Sequence, residues 1–165
     1  MYDLQAHRQN AALAKKRQRK FLDRLKARPP RDLDDQVISL DEEVFESVDC
    51  LQCANCCKTI SPIFIPKDIE RIAQHLGMRP GELSDRYLRI DEDGDWVLKA
   101  SPCPFLLPDN RCRVYDVRPR ACAGYPHTAQ RKFHLNIEIT KQNTLVCPAA
   151  FRIVERLEAI YGLGK

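Results

Sequence analysis

Four cysteines fall within eight residues, Cys50-Leu-Gln-Cys53-Ala-Asn-Cys56-Cys57, and four more follow at Cys103, Cys112, Cys122 and Cys147. No other feature constrains the fold as strongly, because thiols this dense must be cross-linked, ligated to metal or used in redox chemistry. The first twenty residues carry Arg8, Lys15, Lys16, Arg17, Arg19 and Lys20 with no apolar stretch behind them, so a cytoplasmic location is expected rather than secretion. A reducing compartment disfavours disulfides, which leaves metal ligation as the expected use of the thiols. Adjacent Cys56 and Cys57 cannot bridge each other without strain, and they are expected to face different partners.

The hydrophobic fraction of 44% is enough for a core, yet only 7% of residues are aromatic and eleven are prolines. Much of the chain should therefore be loop, and metal sites can pin loops that a large core does not cover. No apolar run reaches the length of a membrane span, so no membrane association is expected. The expected fold class is α+β, mainly helical and loop-rich: a small metal-stabilised cysteine-cluster domain with a short hairpin and an N-terminal basic helix. Two parts are expected, a basic helical arm over 1–31 and a single cysteine-cluster domain over 32–165.

Residues 1–31 hold ten Lys/Arg against two acids, and the remainder holds seventeen against twenty-one. The basic character thus belongs to the arm. Within it Leu4, Ala11, Gln18 and Leu25 lie seven apart, interleaved with His7, Ala14 and Phe21, which predicts one buried helical stripe ended by Pro29-Pro30. Packing on its own acidic body is the simplest role for such a helix. An acidic protein partner or a nucleic acid is the other class it could meet, although no interleaved aromatics support single-strand binding. Val37, Leu40, Val44, Phe45 and Val48 predict a second, acidic amphipathic helix leading to Cys50.

Beyond the cluster, Ser61–Pro66 reads as extended. Lys67–Leu76 and Pro80–Leu88 read as helices, with Gly77 at the C′ position of the first and Pro80 in the first turn of the second. Asp91-Glu-Asp-Gly-Asp95 resembles a calcium loop, but Trp96 and Pro102 stand where glycine and glutamate are required, so a hairpin turn is expected. Phe133, Leu135, Ile137 and Ile139 alternate with polar residues and predict an edge strand over Phe133–Thr140. Cys147-Pro148 opens a last helix, with Cys147 at the N-cap, where free amides and the helix dipole favour a thiolate.

Three cysteines at x2, x2 spacing plus a remote Cys-Pro parallel a bacterial ferredoxin ligand run. Cys50, Cys53, Cys56 and Cys147 reproduce that outline, leaving Cys57, Cys103, Cys112 and Cys122 as a second tetrathiolate set. Cys-x2-Cys pairs equally suit zinc, so both zinc and iron, including a 4Fe–4S cluster, stay open, with two centres expected. Lys58, Arg111, Arg113, Arg118 and Arg120 flank the ligands and would offset thiolate charge. His127 follows Tyr125-Pro126 and is the histidine nearest a cysteine segment, although a core or surface role suits it better than ligation.

The run Cys50-x2-Cys53-x2-Cys56-Cys57, then Cys103-Pro-Phe-Leu, Cys112-x-Val-Tyr115-x2-Arg118-Pro119-x2-Cys122 and Tyr125-Pro126, resembles the YkgJ-type cysteine-cluster proteins over roughly residues 44–160. That resemblance implies zinc or iron chelation by all eight cysteines, mostly in bacterial proteins. A related cluster in flagellin lysine N-methylases implies an alternative, an iron–sulfur enzyme of redox or methyl transfer. Catalytic residues are not identified by it.

Overall fold

A computed structural model describes residues 3–162, in a mainly helical α+β arrangement. Contacts divide the chain into two compact units: Met1–Cys53 together with Pro126–Lys165, and Ala54–Tyr125.

The first unit is built on helices α1 (Leu4–Ala27), α2 (Leu33–Ser47), α8 (Ile137–Val146) and α9 (Pro148–Tyr161). Asp3 starts α1 by accepting the amides of Gln5 and Ala6 at 3.0 and 2.9 Å. The heptad stripe is the buried face, formed by His7, Ala11, Ala14, Gln18, Phe21, Leu22 and Leu25. This face packs on α8 and α9, while α2 packs on α9 through its own buried Leu33, Val37, Leu40 and Val44. Burying Phe21, Leu22 and Leu25 contributes roughly 1.5–3 kcal/mol each. Ion pairs frame the same interface: Arg17 with Glu158 (3.0 Å), Lys26 with Glu138 (2.8 Å) and Lys141 with Asp23 (2.5 Å).

One expectation fails here. Phe133–Thr140 is no strand; Phe133–Asn136 forms a 3-10 turn that runs into α8. The buried residues are Phe133, Ile137, Thr140, Lys141, Asn143 and Thr144, one helical face, whereas Leu135 and Ile139 are 67% and 44% exposed. Apolar residues on the solvent side created a false period of two. In α9 Ala150, Ile153, Val154 and Leu157 complete the core, and Ile160 is 46% exposed.

His7 gives this unit a pH dependence. Its ring meets Phe151 edge-on at 5.6 Å, and its Nε2 is buried with no hydrogen-bond partner among the described residues. Burial pushes its pKa below the usual value of 6.5. The folded state therefore binds fewer protons than the unfolded chain as pH falls through 6.5, and stability falls with it. His127 acts in the same sense; Asp41 and Glu155, raised by burial, act oppositely but only in the carboxylate range. Denaturation midpoints measured between pH 8 and about 5 should fall more steeply for the wild type than for His7→Leu, by up to ~1.4 kcal/mol per pH unit. Parallel profiles would remove His7 from the account.

The second unit holds α5 (Pro66–Leu76), α6 (Pro80–Tyr87) and the antiparallel pair β1 (Leu88–Ile90) and β2 (Trp96–Leu98). Leu88 faces Leu98 and Ile90 faces Trp96; the extended Phe64 adds a bridge to Trp96. Gly77 ends α5 at φ +68°, a conformation that costs other residues. Helix α6 stops at Tyr87, because Leu88 is drawn into the hairpin. At the turn, Asp91 accepts the amides of Asp93 and Asp95 (3.0 and 2.9 Å), so its carboxylate closes the hairpin. Phe64, Ile69, Ile72, Leu83, Leu88, Leu98, Phe105 and Val114 form the core, and Cys103 and Cys112 pack against it.

Candidate metal centre

Each cysteine is positioned by a short local element. Asp49 accepts the Leu51 amide at 2.8 Å and starts a helical turn, α3 (Cys50–Cys53), that places Cys50 and Cys53 at its two ends. Cys56 and Cys57 lie in a second turn, α4 (Asn55–Thr59), which begins after Ala54 in the left-handed conformation at φ 48°. Cys147 is the N-cap of α9 and accepts the Ala150 amide at 3.5 Å.

In the second unit the Cys103 amide donates to the Cys57 carbonyl at 2.8 Å, which ties the later segment to the first cluster. A tight loop then pairs Leu106 with Cys112, held by Arg113 N–H to Phe105 carbonyl and Leu107 N–H to Arg111 carbonyl, both 2.8 Å. Cys122 lies in α7 (Arg120–Ala123), one turn long.

The electrostatics show which thiols are neighbours. Burial pushes Cys122 up to about 12, reinforced by Cys57, Cys103 and Cys112. Burial likewise pushes Cys103 up to about 11, with Cys57 and Cys112 adding to it, and raises Cys112 beside Cys57. Cys57 moves the other way, to about 7, because the Cys56 thiol donates to it and Lys58 adds positive charge. Four thiols thus share one field within the second unit. In the first unit burial pushes Cys147 up to about 12, with Cys50 and Cys53 as the charges that reinforce it. The expectation of a dipole-favoured Cys147 thiolate is therefore corrected: the Ala149 and Ala150 amides do lower its pKa, but desolvation outweighs them.

None of the eight cysteines is joined to another by a disulfide. Among the described residues no three His, Cys, Asp or Glu side chains stand arranged to hold an ion, so ligation requires these thiols to turn toward one another. The donor set nevertheless fits a soft or borderline cation. Cys103, Cys112, Cys122 and Cys147, held protonated by burial and by the charge their neighbours would carry, are groups that a divalent cation would deprotonate and draw together.

Sequence reasoning missed the scaffold of the Cys112–Cys122 loop. Asp68, 1% exposed, caps α5 by accepting the Ile65 amide at 3.2 Å, pairs with Arg71 at 2.6 Å and accepts the Arg120 amide at 3.3 Å. Arg71 in turn donates to the carbonyls of Val117 and Arg118 at 3.3 and 2.9 Å. Asp68 after Pro66 reads as a helix-start signal, but nothing in the sequence reveals that its other contacts reach residue 120. Arg118 stacks on Tyr115 at 4.0 Å and lowers the pKa of both Cys112 and Cys122, a compensating charge of the kind expected of the flanking cations. Asp68→Ala should cost about 1–3 kcal/mol, since it removes the acceptor of two part-buried amides and the carboxylate that pairs with Arg71. Urea midpoints unchanged from wild type would dispose of the clamp.

His127 belongs to the first unit, at φ 68°, with its Nδ1 3.2 Å from the Gln130 amide nitrogen. The nearby Asn143 donates to the Pro126 carbonyl at 2.9 Å, fixing that turn.

Comparison with known proteins agrees with the thiol chemistry. Residues 49–148 match the CxxCxxCC family, described as a "putative zinc- or iron-chelating domain". A curated relative, the uncharacterized protein MJ0661 of Methanocaldococcus jannaschii, is 32% identical over 84 residues, which cover 49% of this chain and 45% of that protein. The chain thus matches less than half the length of that relative. No solved structure matches the chain. With a span that takes in all eight cysteines, the chain belongs to the CxxCxxCC family.

Proposed function

We propose that this is a metal-holding protein whose cysteines bind zinc or iron in two groups. One is Cys57, Cys103, Cys112 and Cys122; the other contains Cys50, Cys53 and Cys147. Cys56 continues the Cys50-x2-Cys53 spacing and hydrogen-bonds to Cys57, and its replacement decides the group to which it contributes. The observation that carries the reading is the shared field of the four thiols in the second unit, partly buried and in one another's electrostatic reach. Four thiolates complete a tetrahedral coordination and leave no open position for a substrate, which favours a structural or electron-transferring role over turnover. Bound zinc would supply charge neutralisation and cross-linking alone, while iron or an iron–sulfur cluster would add one-electron chemistry.

The test is purification without oxygen, followed by elemental analysis and a visible spectrum. About two equivalents of zinc in a colourless protein support two zinc thiolate sites. Iron with broad visible absorption supports clusters instead. Well under one equivalent of any metal, from cells supplied with both, sinks the proposal. Oxygen must be excluded because decayed clusters leave thiolates that take up zinc.

A further inference from the structure

Helix α1 spends its apolar stripe on the first unit, and what remains outside is a dense row of cations. Arg8, Lys15, Lys16, Arg19 and Lys20 are all exposed and make no ion pair among the described residues, unlike Arg17 and Lys26 on the same helix. By helical geometry Arg8, Lys15 and Arg19 form one line, seven and four residues apart, and Lys16 and Lys20 form a neighbouring one. The patch spans thirteen residues, a rise of roughly 18 Å along the helix. Asp23, exposed near the same face, is neutralised by Lys141.

We infer that this face docks, without sequence preference, on the phosphate backbone of a double-stranded nucleic acid. The alternatives fit the residues less well. A lipid surface needs an apolar face to insert, and that of α1 is already buried; Leu13, 84% exposed, is the one large apolar side chain left on the outer face. A protein partner would be expected to find aromatic or aliphatic anchors at the centre of its footprint, and this face has none beyond Leu13. Single strands are recognised by stacking on aromatic rings, and α1 exposes no aromatic side chain among the described residues. What the face offers is charge on a rigid rod. Duplex DNA carries one negative charge per ~1.7 Å of axis, so five cations over this length can each meet a phosphate and release its counterion.

The experiment uses the full chain as purified with its metal, a labelled duplex of about 30 base pairs as DNA and as RNA, and anisotropy titrations across salt concentrations. Micromolar binding at ~50 mM salt is expected, with log K falling against log salt at a slope near −4 to −5, as five phosphate contacts require. Changing Lys16 and Lys20 to glutamine should flatten the slope by about two and weaken binding at least tenfold at low salt. The equally charge-reduced Lys67→Gln/Arg89→Gln control, whose residues lie in the second unit, should stay within about twofold of wild type. Both α1 residues are exposed, so circular dichroism should show unaltered folding. Any of three results overturns the inference: no saturable binding by wild type at ~100 µM protein, an α1 variant with the wild-type slope, or equal or tighter binding to polyglutamate or phosphatidylserine vesicles. The last would identify the occupant as an acidic protein or a lipid surface. Metal content is read separately, so failure here leaves the metal proposal standing, and the reverse holds as well.

Discussion

Replacing Cys147 with serine is expected to remove the same equivalent of metal that Cys53→Ser removes, and to leave intact the equivalent removed by Cys112→Ser or Cys122→Ser. The basis is the grouping of the thiols: Cys147 senses Cys50 and Cys53, while Cys122 senses Cys57, Cys103 and Cys112. Apparent binding free energies of structural zinc thiolate sites at neutral pH are on the order of 10–16 kcal/mol, so one of four ligands carries roughly 3 kcal/mol, about a hundredfold in affinity. Two mutations in one group should be strongly non-additive, because the first already breaks the four-ligand set. Two mutations in different groups should add. The measurement is metal stoichiometry and chelator-competition affinity for four single and two double variants, all handled without oxygen. Serine is the proper replacement, since it preserves size and the hydroxyl can still accept the Ala150 amide at the α9 N-cap. If Cys147→Ser instead emptied the site that Cys122→Ser empties, the two-group partition would be wrong.

The parts of the molecule legible in the sequence are those whose signal is local. The α1 stripe, the Gly77 helix end, the Asp91–Asp95 turn and the N-cap position of Cys147 each follow from residues within a few positions of one another, and each stands as expected. Where burial decides, local signals mislead. The helix dipole at Cys147 is real, yet nearly complete desolvation of the thiol outweighs two amide donors. Long-range scaffolding leaves no local trace either: Asp68 and Arg71 are ordinary helix residues in sequence, and their role depends on a loop some fifty residues away. The thiols themselves are intermediate. Their density announces ligand chemistry, but which ones are neighbours is set by the backbone bond from Cys103 to Cys57 and the Leu106–Cys112 pairing.

The failed strand over Phe133–Thr140 yields the second large prediction, because strand and helix assign opposite energetic roles to the same four apolar residues. In a strand, Phe133, Leu135, Ile137 and Ile139 would share one face and contribute comparably. In the observed turn and helix, Phe133 and Ile137 are fully buried, whereas Leu135 and Ile139 are exposed. Phe133 packs where the 3-10 turn meets α1, α2 and α8, and its position is fixed by Asp34, which accepts the amides of Lys132 and Phe133 at 2.7 and 3.0 Å. Truncating a buried ring leaves a cavity that such a braced turn cannot collapse, so Phe133→Ala should cost about 3–5 kcal/mol and Ile137→Ala about 2–5. Leu135→Ala and Ile139→Ala should stay within about 0.5 kcal/mol. Urea unfolding followed by far-ultraviolet circular dichroism separates the outcomes. Four similar losses would restore the period-two reading. A large cost at Phe133 and Ile137, with near-neutrality at Leu135 and Ile139, requires residues two apart to lie on opposite sides while residues four apart share one, which a helix provides and a strand, whose i, i+2 and i+4 residues share a face, does not.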